Sequence, residues 1–187
     1  LVGSEMCIRD SIVMEYISGI SLQAYVEKIG KMRENKMLDF LRPLLKSLDE
    51  IHKTGLLHRD INPSNLICEK GKRLVLIDFG SMQMRGTTQK KTIQFSKGYS
   101  PPEQYAADDS EGSWTDVYAV CAVIYFMLTG QPPEDAVLRK AKGNFENDRM
   151  SGILGKYKKV IEKGLAVNPR DRYANIPQLE AALDRRK

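Results

Sequence analysis

Two short stretches hold the residues best suited to chemistry. The first is His58-Arg59-Asp60-Ile61-Asn62-Pro63-Ser64-Asn65. The second, thirteen residues after Asn65, is Asp78-Phe79-Gly80. Carboxylates and side-chain amides are hard oxygen donors, the kind that Mg2+ takes. A carboxylate within reach of a hydroxyl can also orient it and receive its proton. Such groups act only if the chain brings them to one point, so the flanking elements matter.

Asn35 to His52 places apolar residues at Leu38, Leu41, Leu45 and Leu48, with Met37, Leu44 and Ile51 beside them and charges opposite. That is helical spacing. Pro43 lies inside it and costs about 3 kcal/mol in a helix interior, so a kink or a later helix start is expected. Leu66–Cys68 and Leu74–Ile77 are short apolar runs split by Glu69-Lys70-Gly71-Lys72, which predicts a β-hairpin turning at Gly71. A helix thus delivers Asp60, and a hairpin spaces Asn65 from Asp78, so that all three can converge.

The remaining text is coarser. Ile12–Ile17 reads as a β-rich run stopped by Ser18-Gly19, and residues 21–29 as a short helix. Gly80 to Gly98 is polar and without period, which predicts a long loop of the kind that is functional or disordered. Residues 116–129 form a helix apolar all round, closed by Gly130 and Pro132. Lys156–Leu165 and Ile176–Leu183 read as two amphipathic helices. Leu1–Ser11 has no period and no initiator Met, and it resembles sequencing adaptor, so residues 1–11 are set aside as a non-native segment.

Composition bounds the class. A chain of 187 residues with 42% hydrophobic and 28% charged residues is an ordinary soluble domain with a core of its own. The net charge of +5 comes from Lys and Arg scattered among 24 acids, which describes a solvated surface rather than a nucleic-acid face. Cys7, Cys68 and Cys121 are too far apart to spell a zinc knuckle or redox pair, and they fit a reducing, cytoplasmic setting. The longest apolar run, Val117–Leu128, has twelve residues. A membrane span needs about 20.

The two opening stretches resemble the catalytic loop and metal-binding triplet of protein kinases. The resemblance runs over most of the chain. Met14-Glu15-Tyr16-Ile17 is similar to the hinge that holds adenine through the main chain at Glu15 and Ile17, with Met14 as gatekeeper. Ile67 matches the apolar residue beneath the adenine ring. Pro101-Pro102-Glu103 stands where the family has Ala-Pro-Glu, and Arg172 in Asn168-Pro169-Arg170-Asp171-Arg172-Tyr173 is its expected partner. Asp116 matches an aspartate that braces the catalytic loop. GYSPPEQY, TDVYA and LTGQPP resemble bacterial members most closely.

The resemblance implies an α+β, kinase-like fold: residues 12–187 as hinge plus a mainly helical C-terminal lobe with one small β-hairpin. It implies ATP and Mg2+ as cofactors and Ser or Thr hydroxyls of protein substrates as acceptors. Asp60 then orients the acceptor hydroxyl, Asn65 and Asp78 hold Mg2+, and Ser96 contacts Asp60. His52 and His58 match positions that support the loop by packing and hydrogen bonding. Phosphate on Thr87, Thr88 or Thr92 can pair with Arg59, although a merely polar loop fits the same text.

Two departures stand out. The catalytic-loop Lys that steadies the transferring phosphate is Asn62 here, which brings an amide but no charge. The Gly-rich loop, strand Lys and helix Glu of the N-terminal lobe are missing, so the chain alone is expected to fold at least partly without transferring phosphate. A pseudokinase or scaffold that binds nucleotide or partners without catalysis is the alternative reading. A small-molecule phosphotransferase ranks behind both, because such enzymes usually lack a Pro-Pro-Glu segment and the long loop before it. A membrane anchor beyond Lys187 is compatible with the resemblance.

Overall fold

Ser21 shows how the local sequence starts the fold. It ends strand β1 (Gly19–Ser21), and its hydroxyl accepts from Ala24 N at 3.1 Å, capping helix α1 (Leu22–Ile29). The computed structural model describes residues 15–84, 95–105, 111–142 and 148–184. Helix α2 (Glu34–Lys53) follows, then β2 (Leu56–Leu57), β3 (Leu66–Glu69), β4 (Arg73–Leu76) and β5 (Gln83–Met84). Four helices complete the described chain: α3 (Ser113–Thr129), α4 (Ala136–Lys142), α5 (Gly155–Gly164) and α6 (Ile176–Asp184).

Helix α2 begins at Glu34 and is continuous through Pro43, so the later start expected from the proline is not taken. Pro43 is half-buried, while its neighbours Leu41, Leu44, Leu45 and Leu48 are buried. Each such side chain contributes about 1.5–3 kcal/mol, which outweighs the cost of one proline. The Ile12–Ile17 run is corrected: residues 15–18 are not strand, residues 12–14 lie outside the described chain, and the strand is Gly19–Ser21. Gly19 can take that place because it has no side chain. A Cβ there would sit 2.4 Å from Cys68 O and 2.8 Å from Ile67 Cγ2.

Two small sheets result, both antiparallel. One has the order β1-β3-β4, with Ile67 opposite both Ser21 and Val75. The other pairs β2 with β5, Leu57 opposite Gln83. In β3 and β4 the buried residues are Leu66, Cys68, Leu74 and Leu76, while Ile67 and Val75 are half-buried on the other face.

The core is organised around α3, which is buried along nearly its whole length and ends on Gly130 in the left-handed conformation, φ 74°. Helices α2, α5 and α6 pack on it. The approach of α5 is close: a Cβ on Gly164 would lie 2.1 Å from Cys121 Sγ. Cys68 and Cys121 are free and buried, and burial pushes both thiols up to about 12. Among the described residues, no helix is long and apolar enough to cross a membrane.

Candidate active site

The loop between β2 and β3 is held from below by the first turn of α3. Asp116 is fully buried, and its carboxylate collects three donors. His52 Nε2 donates to Oδ2 at 2.7 Å, His58 N to Oδ2 at 2.9 Å, and Arg59 N to Oδ1 at 2.8 Å. Burial alone would raise its pKa; the His52 contact and the two backbone donors lower it below the ordinary carboxylate value. A second tie comes from above, where Gln104 Nε2 donates to Arg59 O at 2.7 Å.

These bonds hold Arg59 in the left-handed region, φ 71°. That is strained for a non-glycine residue, at about 1–3 kcal/mol. The consequence is the placement of Asp60. Its Oδ1 accepts from Ser96 Oγ at 2.7 Å and from Asn62 Nδ2 at 2.8 Å, and its Oδ2 accepts from Asn65 Nδ2 at 2.7 Å. Asn62 Nδ2 also reaches Ser96 Oγ at 3.1 Å, while Asn62 Oδ1 accepts from Ser64 N at 2.9 Å and Asn65 N at 3.2 Å. Asn62 is therefore engaged at both ends of its amide. That is a different use from contact with a transferring phosphate.

Ser96 comes from a distant, irregular segment, yet its position is fixed. Ser100 N and Tyr99 N donate to Ser96 O at 2.9 and 2.8 Å, and Ser96 N donates to Ser100 Oγ at 3.0 Å. Gly98, φ 84°, lets this segment touch Pro133: a Cβ there would lie 2.7 Å from Pro133 O. Glu103 anchors the next turn. Arg172 grips it with Nη1 on Oε1 at 2.6 Å and Nη2 on Oε2 at 2.9 Å, both side chains buried.

Asp78 sits two residues past the end of β4. Ile77 N donates to Asn65 O at 2.9 Å, which places Asp78 beside Asn65. Asp78 also has a positive φ, 62°. Its carboxylate lies on the exposed surface, and Oδ1 accepts from Gly80 N at 3.1 Å. Because Asn65 turns its amide nitrogen to Asp60, its amide oxygen is the atom left for a cation. An exposed carboxylate and an amide oxygen, adjacent through the backbone, suit Mg2+, which keeps most of its shell for waters and phosphate oxygens. Among the described residues, no three His, Cys, Asp or Glu side chains gather into a metal site by themselves.

Glu15 and Ile17 border a cavity of about 220 Å³ with Pro43, Leu44, Ser47 and Ile51 of α2, the β4 residues and Phe79. Ile67 is not part of that lining; it lies on the outer face of β3. Met14, Thr87, Thr88 and Thr92 lie outside the described residues. His58 is fully buried, edge-on to Phe79 with ring centroids 5.7 Å apart, and burial lowers its pKa against the pull of Asp116, Asp60 and Asp78.

Sequence reasoning missed Gln83, Gln104 and Glu111. Arg59 Nε donates to Glu111 Oε2 at 2.6 Å and Nη2 to Oε1 at 3.3 Å, while Nη1 donates to Gln83 Oε1 at 2.9 Å. Gln104 directly follows Pro-Pro-Glu, which is a usable signal. Glu111 carries none, since it meets Arg59 across 52 residues.

Comparison with known proteins agrees with this geometry. A sequence profile described as the protein kinase domain matches residues 6–182. Serine/threonine-protein kinase F of Synechocystis is 34% identical over 180 residues, covering 92% of this chain and 36% of that protein. Serine/threonine-protein kinase PknB of Mycobacterium tuberculosis is 30% identical over 187 residues, covering 93% and 30%. The chain spans about a third of the length of these curated relatives. The solved structure titled "PpkA-294 apo form" superposes with a TM-score of 0.75 at 29% identity, covering 91% of this chain and 62% of that one. With the Asp60 loop braced by Asp116 and the profile running through it, this chain belongs to the protein kinase family.

Proposed function

We propose that this chain is the hinge and C-terminal lobe of a serine/threonine protein kinase, acting with ATP, Mg2+ and an N-terminal lobe that covers the phosphates. The observation that carries the reading is Asp60, a buried carboxylate fixed by three side-chain donors, one of them the Ser96 hydroxyl. Ser96 occupies the place on Oδ1 that an incoming acceptor hydroxyl shares. Asp60 thus orients the acceptor oxygen toward the phosphorus and receives its proton as the bond forms. Mg2+ held by Asn65 and Asp78 would supply charge neutralisation at the phosphates. The names of the bacterial relatives support Ser and Thr acceptors on proteins.

The test is phosphate transfer and nucleotide binding in the complete gene product. Asp60→Asn keeps the shape and removes the proton acceptor. It is expected to abolish transfer while ATP affinity stays within about threefold. Asp78→Asn is expected to weaken Mg2+-dependent nucleotide binding as well. Near-normal turnover by Asp60→Asn refutes the assignment. A wild type that binds nucleotide without transferring phosphate selects the scaffold reading instead.

A further inference from the structure

Arg59 poses an electrostatic problem that the catalytic reading does not use. Its side chain is only 8% exposed, and its backbone is strained. A buried cation left alone costs several kcal/mol, so its partner decides whether the loop holds its shape. That partner is Glu111, 5% exposed, lying two residues before α3. The carboxylate takes Nε and Nη2 as a fork, and Gln83 takes Nη1. Gln83 belongs to β5, which pairs with β2, the strand leading directly into His58. The guanidinium therefore joins the entry to α3, strand β5 and the catalytic loop at one point.

We infer that Glu111 is a positioning residue for phosphoryl transfer, and that it supplies from within the chain the anion that orders Arg59 and Asp60. This rests on the kinase reading above. An incoming phosphate would meet a guanidinium whose fork is already occupied, and would lie against the Glu111 carboxylate as a like charge. Order at Asp60 is accordingly independent of phosphate on Thr87, Thr88 or Thr92.

The experiment has two arms in the complete gene product. In the first, wild-type protein is stripped by a broad phosphatase, checked by mass spectrometry, and compared at early times with protein preincubated with ATP and Mg2+. The expected kcat values agree within about twofold. In the second, Glu111→Gln is expected to lower kcat about tenfold or more with KM for ATP within about threefold, a split that general loosening of the fold would not give. Glu111→Asp, which keeps the charge, is expected to recover part of the loss. A stripped wild type that is inactive until ATP restores loop phosphate overturns the inference but leaves the kinase reading intact. So does a Glu111→Gln protein of unchanged kcat. No transfer from either wild-type state refutes the kinase reading and this inference with it.

Discussion

Arg172→Ala separates a buried ion pair from a decorative one. In the parent, Arg172 gives two donors to Glu103, one to Ala166 O at 2.7 Å and one to Val167 O at 2.9 Å, and its guanidinium lies 4.9 Å from the Tyr118 ring centroid. The side chain is 0% exposed and that of Glu103 is 4% exposed. Truncation leaves Glu103 buried with Thr115 Oγ1 donating at 3.1 Å, and it takes a guanidinium donor from the carbonyls of Ala166, Val167 and Trp114. Removing one partner of a buried pair costs about 3–5 kcal/mol. At about 2–4 °C per kcal/mol for a chain of this size, the melting temperature falls by on the order of 10 °C. Arg42→Ala is the internal control, since its pair with Asp184 is half exposed, at 51% and 45%. Urea unfolding of both variants beside the parent gives the comparison. An Arg172→Ala loss within about 0.5 kcal/mol of that of Arg42→Ala would refute the reasoning.

Two further outcomes follow from the same contacts. Asn62→Lys restores the residue usual in the family but removes the amide that caps Ser64 N and Asn65 N and bridges Asp60 to Ser96. It is expected to lower kcat about tenfold, the equivalent of one net hydrogen bond, and a rise in kcat would show that Asn62 merely lacks a charge. The pH dependence of stability follows from two groups whose pKa values are depressed by folding. Neutral His58 resists a proton that the unfolded chain accepts below about pH 6.5, and ionised Asp116 resists one that the unfolded chain accepts near 3.8. In both cases the unfolded state binds more protons, so stability is full near neutrality and falls as the solution is acidified through each window. Urea midpoints across that range check the sign. A His58→Phe variant should lose the upper part of the dependence, and an unchanged profile would mean that the ring is not held neutral.

Helices α1, α2, α3, α5 and α6 and the β3–β4 hairpin were legible because their apolar spacing is local. The turn at Gly71, the long α2 and the buried α3 all follow from residues within one element. Pairings made through the backbone were not. Leu56–Leu57 and Gln83–Met84 are two-residue strands, too short to show a period, and they exist because they meet each other. Helix α4 went unread for a similar reason: seven residues with three basic ones make no amphipathic signature. At the site, motif spacing brought forward Asp60, Asn65 and Asp78. The use of Asn62 as a two-ended clamp, and of Glu111 as a partner for Arg59, is a property of side chains meeting across 2 and 52 residues.

The same geometry explains how a loop without regular structure holds Asp60 in one direction. Asp78 and Phe79 stand at the surface, and the loop that carries Asp60 contains no regular element from His58 to Asn65. Its order is imported from the core. Helix α3 is driven inward by its apolar faces, and Asp116 rides on that burial to meet two backbone N–H groups of the loop. Glu103, locked by Arg172, carries Gln104 to the one carbonyl at Arg59 that faces the other way. The left-handed conformation at Arg59 is thus determined from both sides of the peptide, and Asp60 inherits its direction from it. A buried carboxylate in the wrong place would cost far more than the strain it relieves, so these polar contacts specify one arrangement of the loop as well as stabilising it.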